Sequence, residues 1–93
     1  MKNKATIQIG LVVYIVDAES IRIRCGYIEF FIMFHNNEAA KRRFSQISTA
    51  LRSKSSIEMY LFEKWCIIEP IDYMLGWKSE TTIHCSIKIK MPR

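Results

Sequence analysis

From Ile7 to Val16 the chain alternates: Ile7, Ile9, Leu11, Val13 and Ile15 fall on one side of an extended backbone, and Gln8, Gly10, Val12 and Tyr14 on the other. Period two over this length predicts a long first strand, with Gly10 bending it so that it serves both sides of a small barrel. Asp17–Ser20 has the length of a hairpin turn. Ile21–Cys25 is the second predicted strand, with Ile21, Ile23 and Cys25 inward and Arg22 and Arg24 outward, ended by Gly26. Tyr27–Phe34 is too rich in aromatic and branched residues to be a loop and makes a third strand, with Ile28, Phe30 and Ile32 opposite Phe31 and Met33.

His35-Asn36-Asn37 breaks the alternation, and the period then changes. Ala40, Phe44, Ile47 and Leu51 recur at i, i+4, i+7 and i+11, which predicts a helix over roughly 37–53. Asn36 or Asn37 can cap its first turn, Glu38 suits the positive end of the helix dipole, and Arg52 and Lys54 suit the negative end. Alternation returns over Ser56–Phe62, Glu63-Lys64 is a turn, and Trp65–Glu69 is a fifth strand stopped by Pro70. Ile71, Met74 and Leu75 have the spacing of one helical turn that Gly76 ends. Thr82–Lys90 is the last strand, with Ile83, Cys85, Ile87 and Ile89 inward and Thr82, His84, Ser86, Lys88 and Lys90 outward. Its lysines suit an edge that must not pair with another chain.

The order β-β-β-α-β-β-β, mainly β with one helix, is that of an OB-like small barrel with the helix plugging one end. An open antiparallel sheet with a helix on one face fits the same string. Phe44 and Trp65 are expected in the core. Ninety-three residues make one domain, 1–93, and with nearly half of them apolar and only three glycines the chain is not disordered.

Composition adds a formal charge of +5 and three cysteines, Cys25, Cys66 and Cys85, without the CxxC spacing of zinc sites. A cytosolic protein would keep all three as small buried hydrophobes; an oxidising compartment would allow one disulfide and one leftover thiol. Basic Met1–Lys4 before an apolar run, with Val16-Asp17-Ala18 as a cleavage site, makes an export signal the competing account of the first strand, and the alternation favours the strand. The run falls far short of the roughly 20 apolar residues that span a bilayer, so no membrane span is expected.

No pattern of catalytic residues emerges. His35 and His84 lack the i, i+3 or i+4 partners of a metal site, the cysteines sit on or beside inward positions, and Glu58, Glu63, Glu69 and Asp72 are scattered. The expectation is a non-enzymatic chain without metal or cofactor. The basic residues carry more information. Lys41, Arg42, Arg43, Arg52 and Lys54 line the outer face of the helix, and Arg22, Arg24, Lys88 and Lys90 lie on strands. With the outward aromatics Tyr14, Tyr27, Phe31 and Tyr60, the strand cations are candidates for a binding face or a subunit interface. Single-stranded nucleic acid is held on OB-folds by such groups, bases on rings and phosphates on Lys or Arg. Because Phe31, Met33 and Phe62 add apolar surface, an interface is favoured.

Residues 10–77 resemble the small OB-fold B subunits of bacterial AB5-type toxins, of the subtilase-cytotoxin and pertussis-like kind. The resemblance lies in Gly10-Leu-Val-Val13, Cys25 leaving the second strand, Phe44-Ser-Gln-Ile-Ser-Thr-Ala-Leu51, Lys54-Ser-Ser-Ile57-Glu-Met-Tyr60 and the Trp65-Cys66 pair. It implies an exported protein that forms a ring-shaped homopentamer and binds glycans while carrying a catalytic partner. It also implies a Cys25–Cys66 disulfide, with Cys85 free, and places no glycan-binding residue on this chain. The resulting expectation is an OB-like binding module acting as a homo-oligomer with a glycan or protein ligand, secreted if the resemblance holds and cytoplasmic otherwise. The alternatives are a single-stranded nucleic-acid-binding OB protein and a small inhibitor of a partner protein.

Overall fold

Residues 4–17 do not run as one strand. In the computed structural model, which describes residues 4–89, Lys4–Ile9 (β1) and Val12–Asp17 (β2) form a hairpin across the two-residue turn Gly10-Leu11. Gly10 takes φ +64°, and glycine at the first turn position suits the right-handed twist of paired strands. The turn changes which residues face inward. Ile7 lies opposite Tyr14, and residues opposed across an antiparallel ladder share a face, so the inward set passes from odd to even numbers. Tyr14 and Val16 are therefore buried, whereas Leu11, Val13 and Ile15 point to solvent, the reverse of the single-strand expectation.

The same two-residue device recurs twice. Arg22–Arg24 (β3) turns into Tyr27–Met33 (β4) through Cys25-Gly26, and Ile57–Leu61 (β5) into Lys64–Ile68 (β6) through Phe62-Glu63. Both central residues have positive φ in each case, 51° and 80° in the first, 51° and 63° in the second, the signature of a type I′ turn. Phe62 and Glu63 adopt it without a glycine, against the left-handed penalty of L-residues. Glu63→Gly is accordingly expected to stabilise the protein by about 0.5–1 kcal/mol, read as a rise of a few degrees in Tm. An unchanged or lowered Tm would show that position 63 does not hold the left-handed conformation.

Two further strands, Pro70–Trp77 (β7) and Thr82–Ile89 (β8), complete two four-stranded antiparallel sheets, ordered β2-β1-β5-β6 and β3-β4-β8-β7. The protein is mainly β with one helix, and no closed barrel is found among the described residues, so two sheets stand where an OB-like barrel or a single open sheet was expected. The two halves of the chain follow the same course: β5 to β8 occupy, beside β1 and β4, positions equivalent to those of β1 to β4. The 71–77 stretch is a strand, not a helical turn. Ile71 is the extra residue of an irregularity between Pro70 and Asp72, after which Tyr73, Leu75 and Trp77 pair with Ile87, Cys85 and Ile83. Proline is tolerated there because it begins an edge strand. β8 is central, between β4 and β7, so its lysine guards no edge.

The helix spans Asn37–Arg52 (α1), as its period predicts, and Asn36 caps it by accepting the Ala39 N–H at 2.9 Å. Ala40, Ile47 and Leu51 are buried, the helix meets β1, β7 and β8, and a Cβ on Gly10 would sit 3.4 Å from Ala50. Phe44 is half-buried and stacks on Trp77, with centroids 4.7 Å apart. Between the sheets lies a core of Ile7, Ile9, Ile28, Phe30, Ile32, Met59, Ile83, Cys85 and Ile87. Trp65 is not part of it. It stands 63% exposed on the outer face of edge strand β6.

Candidate functional site

The outer face of the second sheet gathers residues far apart in sequence. The ladder aligns Arg24, Tyr27, Lys88 and Asp72 in one row across the sheet, Arg22, Glu29, Ser86 and Met74 in the next, and Phe31, His84 and Gly76 beyond. Five of the eight residues singled out in the sequence, Arg22, Arg24, Tyr27, Phe31 and Lys88, thus share one face. Tyr60 lies on the outer face of the other sheet, paired with Thr6 and Trp65. Tyr14 is interior and no surface residue: its ring meets Phe34 edge-on, and its hydroxyl has no protein partner among the described residues. Burial pushes its pKa up, with Arg43 partly opposing the rise. Lys90 lies outside the described residues.

What frees the arginines is a diversion of the nearby carboxylates. Glu29 faces Arg22 across the ladder, yet its Oε2 is held by His84 Nε2 at 2.7 Å. Asp72 faces Lys88, but its Oδ1 accepts the N–H of Tyr73 at 2.8 Å. Arg22, Arg24 and Lys88 are left exposed with no carboxylate within 4 Å among the described residues. Arg22, Arg24, Tyr27, Glu29 and Ser86 line a depression of about 350 Å³ on this face. Phe31, by contrast, is already engaged: His84 stacks on it at 4.8 Å between centroids, and Lys78 Nζ sits 4.5 Å from its centre. Glu29 and Lys78 were not singled out in the sequence, and His84 and Ser86 were read only as outward residues of the last strand, because the pairing of Glu29 with His84 depends on the register of β4 with β8, strands separated by about 55 residues.

The Glu29–His84 pair has the form of a carboxylate orienting an imidazole. Ser86 shares the face but makes no hydrogen bond to His84, so no nucleophile is aligned with it. The pair works as a cross-strand link that keeps Glu29 away from Arg22. Among the described residues no group of three or more His, Cys, Asp or Glu could hold a metal ion, and no helix is long and apolar enough to cross a membrane. Cys25 and Cys66 carry free, exposed thiols, Cys25 in the β3–β4 turn and Cys66 on β6 of the other sheet. Cys85 is buried mid-strand, and burial pushes its thiol up to about 12.

The outer face of the first sheet has the opposite character. Ile15, Thr6, Tyr60 and Trp65 form one row across all four strands, and Val13, Gln8, Glu58 and Ile67 the next. Leu11, 97% exposed, and Phe62 extend it at the two hairpin tips. Ile23, outside the row, is also exposed: it lies opposite buried Ile28 on the short edge strand β3. Compared with family models, with curated proteins and with solved structures, the chain matches none.

Proposed function

We propose that this protein is a non-enzymatic binding module that works as a homo-oligomer, with the outer face of the first sheet as the contact between subunits. The observation that carries this is the pair of aligned rows in which Val13, Ile15, Trp65 and Ile67 expose apolar side chains on both edge strands, with Leu11 and Phe62 beyond them. Soluble monomers rarely expose apolar patches larger than a few hundred Å², and a sheet clothed in apolar residues on both faces is covered on both. Tyr60 and Trp65, with rings 5.1 Å apart, supply the large rigid contacts that carry most interface energy. On this reading the likeness to ring-forming toxin B subunits concerns the manner of assembly, through an OB-like but unclosed β structure. The other sheet stays available for a ligand.

Light scattering of the purified protein at low micromolar concentration tests it. The parent should be a multimer, and Ile15→Lys combined with Ile67→Lys should be a monomer with unchanged circular dichroism, since both side chains already point to solvent. A parent that runs as a clean monomer, or a double variant that keeps the parent's mass, overturns the proposal.

A further inference from the structure

We infer that the outer face of the second sheet binds single-stranded nucleic acid, Tyr27 stacking one base while Arg22, Arg24 and Lys88 take the neighbouring phosphates. This deepens the binding-module reading and is independent of the assembly.

The placement is what selects the ligand. Tyr27 is 43% exposed and stands on β4 between Arg24 on β3 and Lys88 on β8. Neighbouring strands are about 4.8 Å apart, so the two cations flank the ring at a mutual backbone separation of roughly 10 Å. Arg22, two residues from Arg24 on the same side of edge strand β3, continues the basic track by about 7 Å along the strand. A flat ring with a cation on either side and a third cation ahead matches an extended strand, whose bases are free to stack and whose phosphates lie to their sides. A duplex offers no free base face to Tyr27. An acidic peptide would use the cations but has no need of the ring between them.

The charges are available without rearrangement. Glu29, the carboxylate nearest Arg22 in the ladder, is held by His84, and Asp72 is turned to the backbone of Tyr73. Arg22 and Arg24 have planar guanidinium groups suited to two-point contact with phosphate oxygens, and Ser86 adds a hydroxyl to the depression they line. Phe31 does not take part as a stacking ring, because His84 and Lys78 occupy it.

Fluorescence anisotropy with a labelled oligothymidylate tests the assignment. Binding should be saturable at about 50 mM salt and should weaken with a log–log slope near −2, about 0.7 for each of three neutralised phosphates. Arg22→Gln with Arg24→Gln should cut that slope to less than half. Tyr27→Leu should keep the slope but weaken binding about tenfold or more, while leaving heparin, a polyanion without bases, unaffected. No binding at about 50 mM salt, equal binding of a duplex, or a Tyr27→Leu variant that binds like the parent overturns it. Equal loss of heparin binding in Tyr27→Leu also overturns it, since the ring would then not be reading bases. Light scattering on the same preparation separates the two proposals. A monomer that binds the oligonucleotide ends the assembly and keeps this assignment; a multimer that does not bind does the reverse.

Discussion

Phe30→Ala is expected to cost about 3–5 kcal/mol, the range for deleting a fully buried aromatic side chain. Phe30 is wholly buried, the largest such side chain among the described residues, and it faces inward from β4 opposite Cys85 on the central strand β8. Few other side chains in a core this small can close the cavity, because Ile7, Met59 and Ile83 are themselves fixed in ladders. Domains of this size are stable by about 5–15 kcal/mol, so the loss consumes a large share of the total. Urea denaturation at fixed protein concentration should show a much lower midpoint at an unchanged slope, or outright unfolding. Phe30→Leu, which keeps most of the volume, should cost far less. A loss below about 1 kcal/mol for the alanine variant would mean that the two sheets do not close on this residue.

The second large effect is alkaline. Burial alone holds the Cys85 thiol near 12 against an ordinary value of 9.0, and its side chain is wholly inaccessible. The folded state thus keeps a proton that the unfolded state releases. The stabilisation is complete below pH 9 and is lost progressively as pH rises from about 9 towards 12. Its full size is a few kcal/mol, roughly 3–4 on the linkage of 1.36 kcal/mol per pKa unit. Tyr14, also raised by burial, adds to the decline above pH 10. Stability measured from pH 7 to 11 should therefore fall more steeply for the parent than for Cys85→Ala, which has no thiol to ionise. Parallel profiles for the two would place Cys85 in contact with water.

Much of the local structure was legible from spacing. The helix period marked α1 to within one residue, because Ala40, Ile47 and Leu51 must share one side whatever they pack against. The inward sets of β4 and β8 were legible too, since both strands are central and only one alternation buries Ile28, Phe30 and Ile32, or Ile83, Cys85 and Ile87. The candidate face was half legible. Arg22, Arg24, Tyr27 and Lys88 stood out as residue types, but nothing local brings residues 22 to 27 beside residue 88.

Edge strands and turns were where spacing failed. An unbroken alternation from Ile7 to Val16 reads as one strand, yet two residues of turn at Gly10-Leu11 reverse the chain and exchange the inward and outward sets. Trp65 was expected in the core, but it lies with Ile67 on the exposed face of an edge strand. Ile71, Met74 and Leu75 have helical spacing, and pairing with β8 makes them a strand. By itself the sequence determined the periodicity of each segment, and hence which residues travel together on a face. Tertiary structure alone decided which face meets the core, which strands adjoin, and that Glu29 is held by His84 and leaves Arg22 free. Periodicity is a property of neighbours along the chain, whereas register and cover are settled by packing between segments dozens of residues apart.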